Sequence, residues 1–190
     1  MAEDPLATCK KNAARKGAVI LFEDEVGFSQ QGTTIRTWAP IGDGAIVDSE
    51  PGRRSIKAFG AVECSEAPRL IHRFGKRLNG ATFARFLQQI LEAIPDRFIY
   101  VVLDNVAYHR AAEVRQLLRE MTPQRLHLVA LPPYSPELNP IEFVWRETKR
   151  RATHNRYFPV LESLRDAVRR QFARFGQNPS LLRGAASLYL

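Results

Sequence analysis

The order of periodic segments along this chain predicts an α/β fold, a mixed sheet with helices covering its faces. Three observations carry that expectation. Two short apolar runs, residues 18–22 and 97–103, have the length and the Val and Ile content of buried strands. A stretch with Phe83, Phe86, Leu87, Ile90, Leu91 and Ile94 repeats at the i, i+3, i+4, i+7 spacing of one helix face. Strands come first, then strands alternate with helices, an order that gives a sheet layered between helices.

Each element has its own signal. After the run at 18–22, residues 27–52 are rich in Gly, Thr, Pro and Asp and read as loop, with a short strand at 34–38. Residues 55–62 and 69–74 read as two more strands, so the first part of the chain is a meander, the usual antiparallel arrangement. The helix ending at Ile94 is closed by Pro95, which cannot donate into a helical ladder. Residues 97–103 are the strongest strand, 113–120 a short helix and 126–131 another strand. Pro132, Pro133 and Pro136 then force an extended connection. A helix over 140–153 carries Ile141, Val144, Trp145, Thr148 and Ala152 along one side. A last helix over 160–175 buries Leu161, Leu164, Val168, Phe172 and Phe175.

At 190 residues with 45% hydrophobic content, the chain suffices for one good core and one domain. No apolar stretch reaches membrane-spanning length. Residues 1–17 are polar and basic and show no secretory signal. Cys9 and Cys64 form no disulfide framework and no metal-type spacing, as expected of a reducing cytoplasm. The net charge of +8 favours a polyanionic partner. The cations cluster at Lys10, Lys11, Arg15 and Lys16, at Arg146, Lys149, Arg150 and Arg151, and at Arg165, Arg169, Arg170 and Arg174. The last cluster reads as a solvated helix face.

Three acids stand out. Asp24 and Asp104 each end an apolar run, and Glu142 begins a helix. Each has a local explanation: Asp ends strands in turns, and Asn139, Pro140 and Glu142 fit N-cap, N1 and N3 of a capping box, worth about 1 kcal/mol. Those explanations give no reason for all three to occur together in a basic protein. Carboxylates are hard oxygen donors suited to Mg²⁺ or Mn²⁺, and three of them suggest a divalent-metal site acting on phosphates. In a strand, Asp24 shares a face with Phe22, while Glu23 and Glu25 share the other.

The string Leu131-Pro132-Pro133-Tyr134-Ser135-Pro136-Glu137-Leu138-Asn139-Pro140-Ile141-Glu142, with Trp145 and Lys149, resembles the third catalytic block of mariner-type transposases, in particular their bacterial insertion-sequence branch. Val102-Leu103-Asp104-Asn105 with His109 resembles the second block. Phe22-Glu23-Asp24-Glu25 with Phe28 resembles the first, and Trp38-Ala39-Pro40 with Gly42 a stretch that follows it. The likeness spans residues 18–153, and the interval from Asp104 to Glu142 is similar to that of one subgroup.

The resemblance implies a ribonuclease H-like fold with a mixed five-stranded sheet, its first and fourth strands parallel and adjacent. It implies a DDE carboxylate triad of Asp24, Asp104 and Glu142 holding two Mg²⁺ ions, with Mn²⁺ able to substitute. Asp24 bridges the ions, and Asp104 and Glu142 each complete one shell. The implied activity is DNA strand cleavage and strand transfer, with DNA as partner, no small-molecule cofactor and a homodimer that uses residues 27–52. The implied location is the bacterial cytoplasm, at the nucleoid. Asn105, His109 and Asn139 are secondary active-site candidates; His109 is equally well explained by local packing, and Asn105 either holds Asp104 or contacts DNA. Arg146, Lys149, Arg150 and Arg151 are DNA-binding candidates, with Glu142, Arg146, Lys149 and Thr153 on one helical stripe. Glu142 and Arg146 also fit a plain helix-face ion pair, and Trp145 a core position.

The expected organisation is a basic segment over 1–17, the catalytic domain over 18–178 and a C-terminal tail over 179–190. Residues 1–17 are too few for the helix-turn-helix region such transposases carry, so the chain reads as a catalytic domain alone. The alternatives are a nuclease of the same fold without a joining step, and an inactive DNA-binding remnant.

Overall fold

The computed structural model describes residues 5–42, 46–48, 52, 54–120, 125–133 and 135–186. Its centre is a five-stranded sheet of β1 (Val19–Ser29), β2 (Ser55–Glu63), β3 (Leu70–Gly75), β4 (Ile99–Leu103) and β5 (Leu126–Ala130), in the order β3-β2-β1-β4-β5. The meander β1-β2-β3 is antiparallel, whereas β4 pairs with β1 and β5 in parallel. A parallel neighbour needs a crossover, and the helices supply it. They are α1 (Pro5–Lys16), α2 (Gly80–Ala93), α3 (Ala112–Glu120), α4 (Ile141–Thr148), α5 (Leu161–Gln177) and the short α6 (Arg183–Ala186).

Strand alternation divides the core in two. Phe22, Val26, Phe28, Ala58, Val62 and Val102 face α1, α4 and α5, through Leu6, Ile141, Val144, Trp145, Val168 and Phe172 among others. Leu21, Phe59, Ala61, Val101 and Leu103 face α2 and α3, through Phe83, Phe86, Leu87, Ile90 and Val114. The helix expected up to Ile94 is α2, started by a capping box in which Asn79 and Thr82 exchange side-chain bonds.

Several expectations need correction. β1 does not end at the acids but runs on to Ser29, since Asp24 pairs with Gly60 and Phe28 with Ile56 on β2. Only its parallel pairing with β4 stops early, at Phe22 and Val102. No strand forms at 34–38; an isolated bridge joins Thr33 to His154, and the Asn155 side chain accepts from Ile35 N (2.8 Å) and donates to Ile35 O (3.1 Å). Trp38 in that stretch is fully exposed, so a strand there would have no apolar face to bury. Residues 5–16, to which no element was assigned, form α1, whose Leu6, Cys9 and Ala13 are buried. Parts of the loop at 27–52, of the tail at 179–190 and Tyr134 lie outside the described residues.

The helix expected over 140–153 changes pitch on the way. After Thr148 it becomes a π-helical turn, Lys149–Thr153, closed by His154 N donating to Lys149 O at 2.8 Å. The extra residue rotates everything after it, so Thr153 is buried and bonded to Lys149 O instead of continuing an exposed stripe from Glu142.

Candidate active site

The parallel register of β1 and β4 brings two of the three acids together. Val19 pairs with Ile99 and Phe22 with Val102, and the same offset carried two residues further aligns Asp24 with Asp104. Asp104 is the first residue beyond β4, where the chain leaves the sheet. Glu142 arrives from the first turn of α4. The capping box anticipated around it does not form: the cap position is Pro140, without a side-chain cap bond. The Asn139 side chain accepts from Ile141 N at 3.4 Å and its amide donates 2.9 Å to Glu23 O, which ties the start of α4, with Glu142 in its first turn, to β1.

Asp24, Asp104, Asn105, Asn139 and Glu142 line one open cavity of about 450 Å³, walled by Leu131, Pro132 and Pro133. The proline run holds this wall extended, as two adjacent rings forbid helix. Burial pushes the Asp24 carboxyl up to about 7, with the charges of Glu25 and Glu142 adding to the rise. A hydrogen bond from the Glu25 backbone opposes it, and so, to a smaller extent, does Trp145, which donates Nε1–H to Asp24 Oδ2 at 3.0 Å. The Asp104 carboxylate is held at one oxygen only, Oδ1 accepting from Val106 N at 3.0 Å. Three carboxylates so gathered on one open cavity form an oxygen-only donor set that fits a hard divalent cation.

Trp145 can reach Asp24 because Gly60, the β2 partner of Asp24, has no side chain. A Cβ at Gly60 would lie 2.8 Å from Trp145 Cζ2 and closer still to Cη2. A glycine is required here for close approach of an indole ring, not for backbone conformation.

A family model described as a DDE superfamily endonuclease matches residues 19–165. The chain belongs to this DDE endonuclease family. Solved structures similar to it include the Mos1 mariner paired end complex with Mn, at 20% identity and a TM-score of 0.63, covering 97% of this chain and 57% of that one. The Mos1 transposase paired-end complex with left transposon end matches at 16% identity and 0.59, covering 96% and 59%. The Mos1 transposase catalytic domain with Raltegravir and Mn matches at 15% identity and 0.54, covering 96% and 91%. Together with the strand order, this likeness makes the fold ribonuclease H-like. The chain spans less than two thirds of the Mos1 chains in the two paired-end complexes. No curated protein matches the sequence. No helix of the described residues is long and apolar enough to cross a membrane.

Around the DDE endonuclease cavity the secondary candidates divide. The Asn105 amide donates 2.9 Å to Leu131 O, clamping the ends of β4 and β5 at the cavity wall. His109 does not line the cavity. It is buried behind Asp104, with Nδ1 3.2 Å from Asp104 O and Nε2 3.2 Å from Glu25 Oε1. On α4, Arg146 is exposed and lies over the Phe143 ring at 5.5 Å, not in an ion pair with Glu142. Arg150 and Arg151 both bond Glu147, at 2.9 Å each, and that pairing, led by Arg150, holds Glu147 down at about 2. Arg165 and Arg169 pair with Glu162 and Asp166, the solvated face expected of that cluster.

Sequence reasoning missed two features. It placed Trp145 in the core, where it is, but not its bond to Asp24, which joins residues 121 positions apart. It set Glu23 and Glu25 on the far face of β1 without seeing that His109 meets them there.

Proposed function

We propose that this chain is the catalytic domain of a DNA transposase, cleaving and joining DNA strands with Asp24, Asp104 and Glu142. The observation that carries the reading is the convergence of these three acids, from β1, the end of β4 and the start of α4, on one open cavity in a DDE endonuclease chain. Beneath them β4 is buried at every position and β1 is apolar from Val19 to Phe22, which gives the rigid platform such chemistry needs.

Asp24, Asp104 and Glu142 would together hold two divalent ions, Mg²⁺ or Mn²⁺; Mos1 complexes exist with Mn and with Mg. When bound, such ions activate water and offset charge on the phosphate oxygens in an in-line displacement. The chain's own residues do the positioning. Trp145 N–H fixes which Asp24 oxygen turns inward. Val106 N–H occupies one Asp104 oxygen and leaves the other to the cavity. Asn105 and Asn139 lock the cavity walls to β5 and β1. Water attacks a phosphodiester and releases a 3′ hydroxyl; that hydroxyl then attacks a second phosphodiester and displaces its 3′ oxygen. Neither step requires a covalent protein intermediate.

DNA is the partner, a reading supported by the net charge of +8 and by the exposed Arg146 and nearby Lys149 on the helix that carries Glu142. Phosphate contacts from these cations add affinity without sequence information. Arg150 and Arg151 join them when DNA competes with Glu147. A homodimer through residues 27–52 is supported by the exposed Trp38, Ile41 and Ile46. A place in the bacterial cytoplasm at the nucleoid is part of the same proposal, and it rests on the resemblance of the motifs to the bacterial insertion-sequence branch.

The test is strand cleavage of element-end DNA in Mg²⁺ or Mn²⁺, followed by assay of the cleaved ends for joining to a second DNA. Asp24→Asn, Asp104→Asn and Glu142→Gln are expected to abolish cleavage while leaving the circular dichroism spectrum unchanged. A fully active Asp104→Asn variant would sink the mechanism, and cleavage without joining would leave a nuclease of the same fold.

A further inference from the structure

On the face of β1 opposite Asp24, three side chains meet that strand cleavage does not use. Alternation turns Glu23 and Glu25 toward α2, and His109 reaches them from the 3₁₀ turn Ala107–Arg110 after β4. Glu23 is 0% exposed, and neither of its carboxylate oxygens has a hydrogen-bond partner among the described residues. A buried carboxylate without donors is strongly disfavoured unless a cation or a proton joins it.

The imidazole does not resolve this. His109 Nδ1 lies 3.2 Å from the Asp104 carbonyl and 3.5 Å from Asp104 Oδ1, both acceptors, so this surrounding favours the proton on Nδ1. Nε2 faces Glu25 Oε1, 3.2 Å away, and Glu23 Oε2, 3.8 Å away. As the neutral imidazole with Nδ1–H it is a lone pair facing two carboxylates; as the imidazolium it donates to Glu25 alone, so in both forms Glu23 keeps no donor of its own. A histidine that donates its far N–H to a backbone carbonyl while its near nitrogen faces carboxylates is the arrangement that orients imidazole ligands on metals.

The dimensions fit an ion. Bonds of about 2.0–2.2 Å from a metal to N and O ligands give tetrahedral edges of roughly 3.3–3.6 Å. The two edges measured from Nε2 bracket that range, and one donor atom from each of the three residues lies within 4.8 Å of the others. The Phe83 ring, 4.4 Å from the imidazole centroid, closes one side. The Glu25 side chain keeps 10% exposure and gives a path in.

We propose that Glu23, Glu25 and His109 bind one divalent first-row transition-metal ion, of the zinc or manganese class, separate from any ion held by Asp24, Asp104 and Glu142. One imidazole with two carboxylates favours such ions over Mg²⁺. Through His109 Nδ1–H this ion would anchor the Asp104 backbone, and so the end of β4, from behind.

The test is X-ray absorption at the zinc edge on the full chain loaded with one equivalent of Zn²⁺, because imidazole gives a scattering signature that carboxylates lack. The Asp24→Asn/Glu142→Gln double variant removes competition from the cavity. The expected result is one imidazole per zinc in wild type and in the double variant, absent in His109→Gln. Zinc is also expected to raise Tm in the double variant and not in His109→Gln; Glu25→Gln, which keeps the imidazole in place, should lose the Tm rise as well. An oxygen-only shell in the double variant, an imidazole signal that survives His109→Gln, or no stoichiometric zinc binding by the double variant would overturn the site and leave an imidazolium paired with Glu25. None of these readouts depends on DNA cleavage.

Discussion

Replacing Trp145 with Phe keeps an aromatic ring against Gly60 and removes one group, the Nε1–H that donates to Asp24 Oδ2 at 3.0 Å. That bond favours the ionised carboxylate, so losing it raises the Asp24 pKa further above its present value of about 7. A hydrogen bond to a charged group contributes about 1.5–3 kcal/mol, and each pKa unit corresponds to about 1.36 kcal/mol, so the rise should be about 1–2 units. A divalent ion competes with the proton for Asp24. At neutral pH the variant should therefore bind Mn²⁺ about 10–100-fold more weakly, the range usual for lost outer-shell partners of metal ligands. The assay is Mn²⁺ titration of the isolated chain from pH 6 to 9, read by the paramagnetic resonance of free Mn²⁺, in a His109→Gln background so that only the cavity reports. The pH midpoint for binding should move upward by about 1–2 units in the Trp145→Phe variant, consistent with that rise. A midpoint unchanged from Trp145, with the fold intact by circular dichroism, would refute the role given to this bond.

Other outcomes follow from the same geometry. Gly60→Ala forces a methyl into the Trp145 ring and should cost about 1–3 kcal/mol of stability, measured by urea unfolding, together with the Mn²⁺ defect of Trp145→Phe. The Asp24 pKa rises on folding from 3.8 to about 7, so its ionisation works against the fold: with respect to this group the metal-free protein should hold its full stability at and below about pH 4, lose up to about 4 kcal/mol between pH 4 and 7, and level off above. Millimolar Mn²⁺ should reverse that loss in thermal scans at pH 8, and a metal-free stability that is flat between pH 4 and 8 would contradict the assigned burial. Glu147→Gln frees Arg150 and Arg151 from their shared partner. If these arginines meet phosphates, DNA binding should tighten and its log K against log salt slope steepen by about 1; unchanged binding would remove them from the interface.

Much of this fold was legible because strong local signals agreed with the tertiary arrangement. The α2 face from Phe83 to Ile94 and the run into β4 are apolar at the right period, and both are buried as expected. β1 was read too short because Glu23-Asp24-Glu25 looks like a strand exit. The strand continues because β2 pairs with it as far as Ser29, a non-local fact. α1 escaped notice because its buried positions Leu6, Cys9 and Ala13 are small or isolated among Lys and Asn. The pitch change after Thr148 has no local sign, so the stripe from Glu142 to Thr153 looked continuous. At the site, the three acids were legible from their flanking strings. What those acids touch was not, since Trp145 and Gly60 meet Asp24, and His109 meets Glu25, only after the sheet has formed.

The most direct test of the central claim is anomalous diffraction from crystals of the chain soaked in Mn²⁺. Peaks within bonding distance of the Asp24, Asp104 and Glu142 carboxylates, lost in Asp104→Asn crystals, are the result expected. A well-ordered cavity that stays free of Mn²⁺ at concentrations saturating the rest of the protein would contradict the claim that these acids form a metal-dependent catalytic centre.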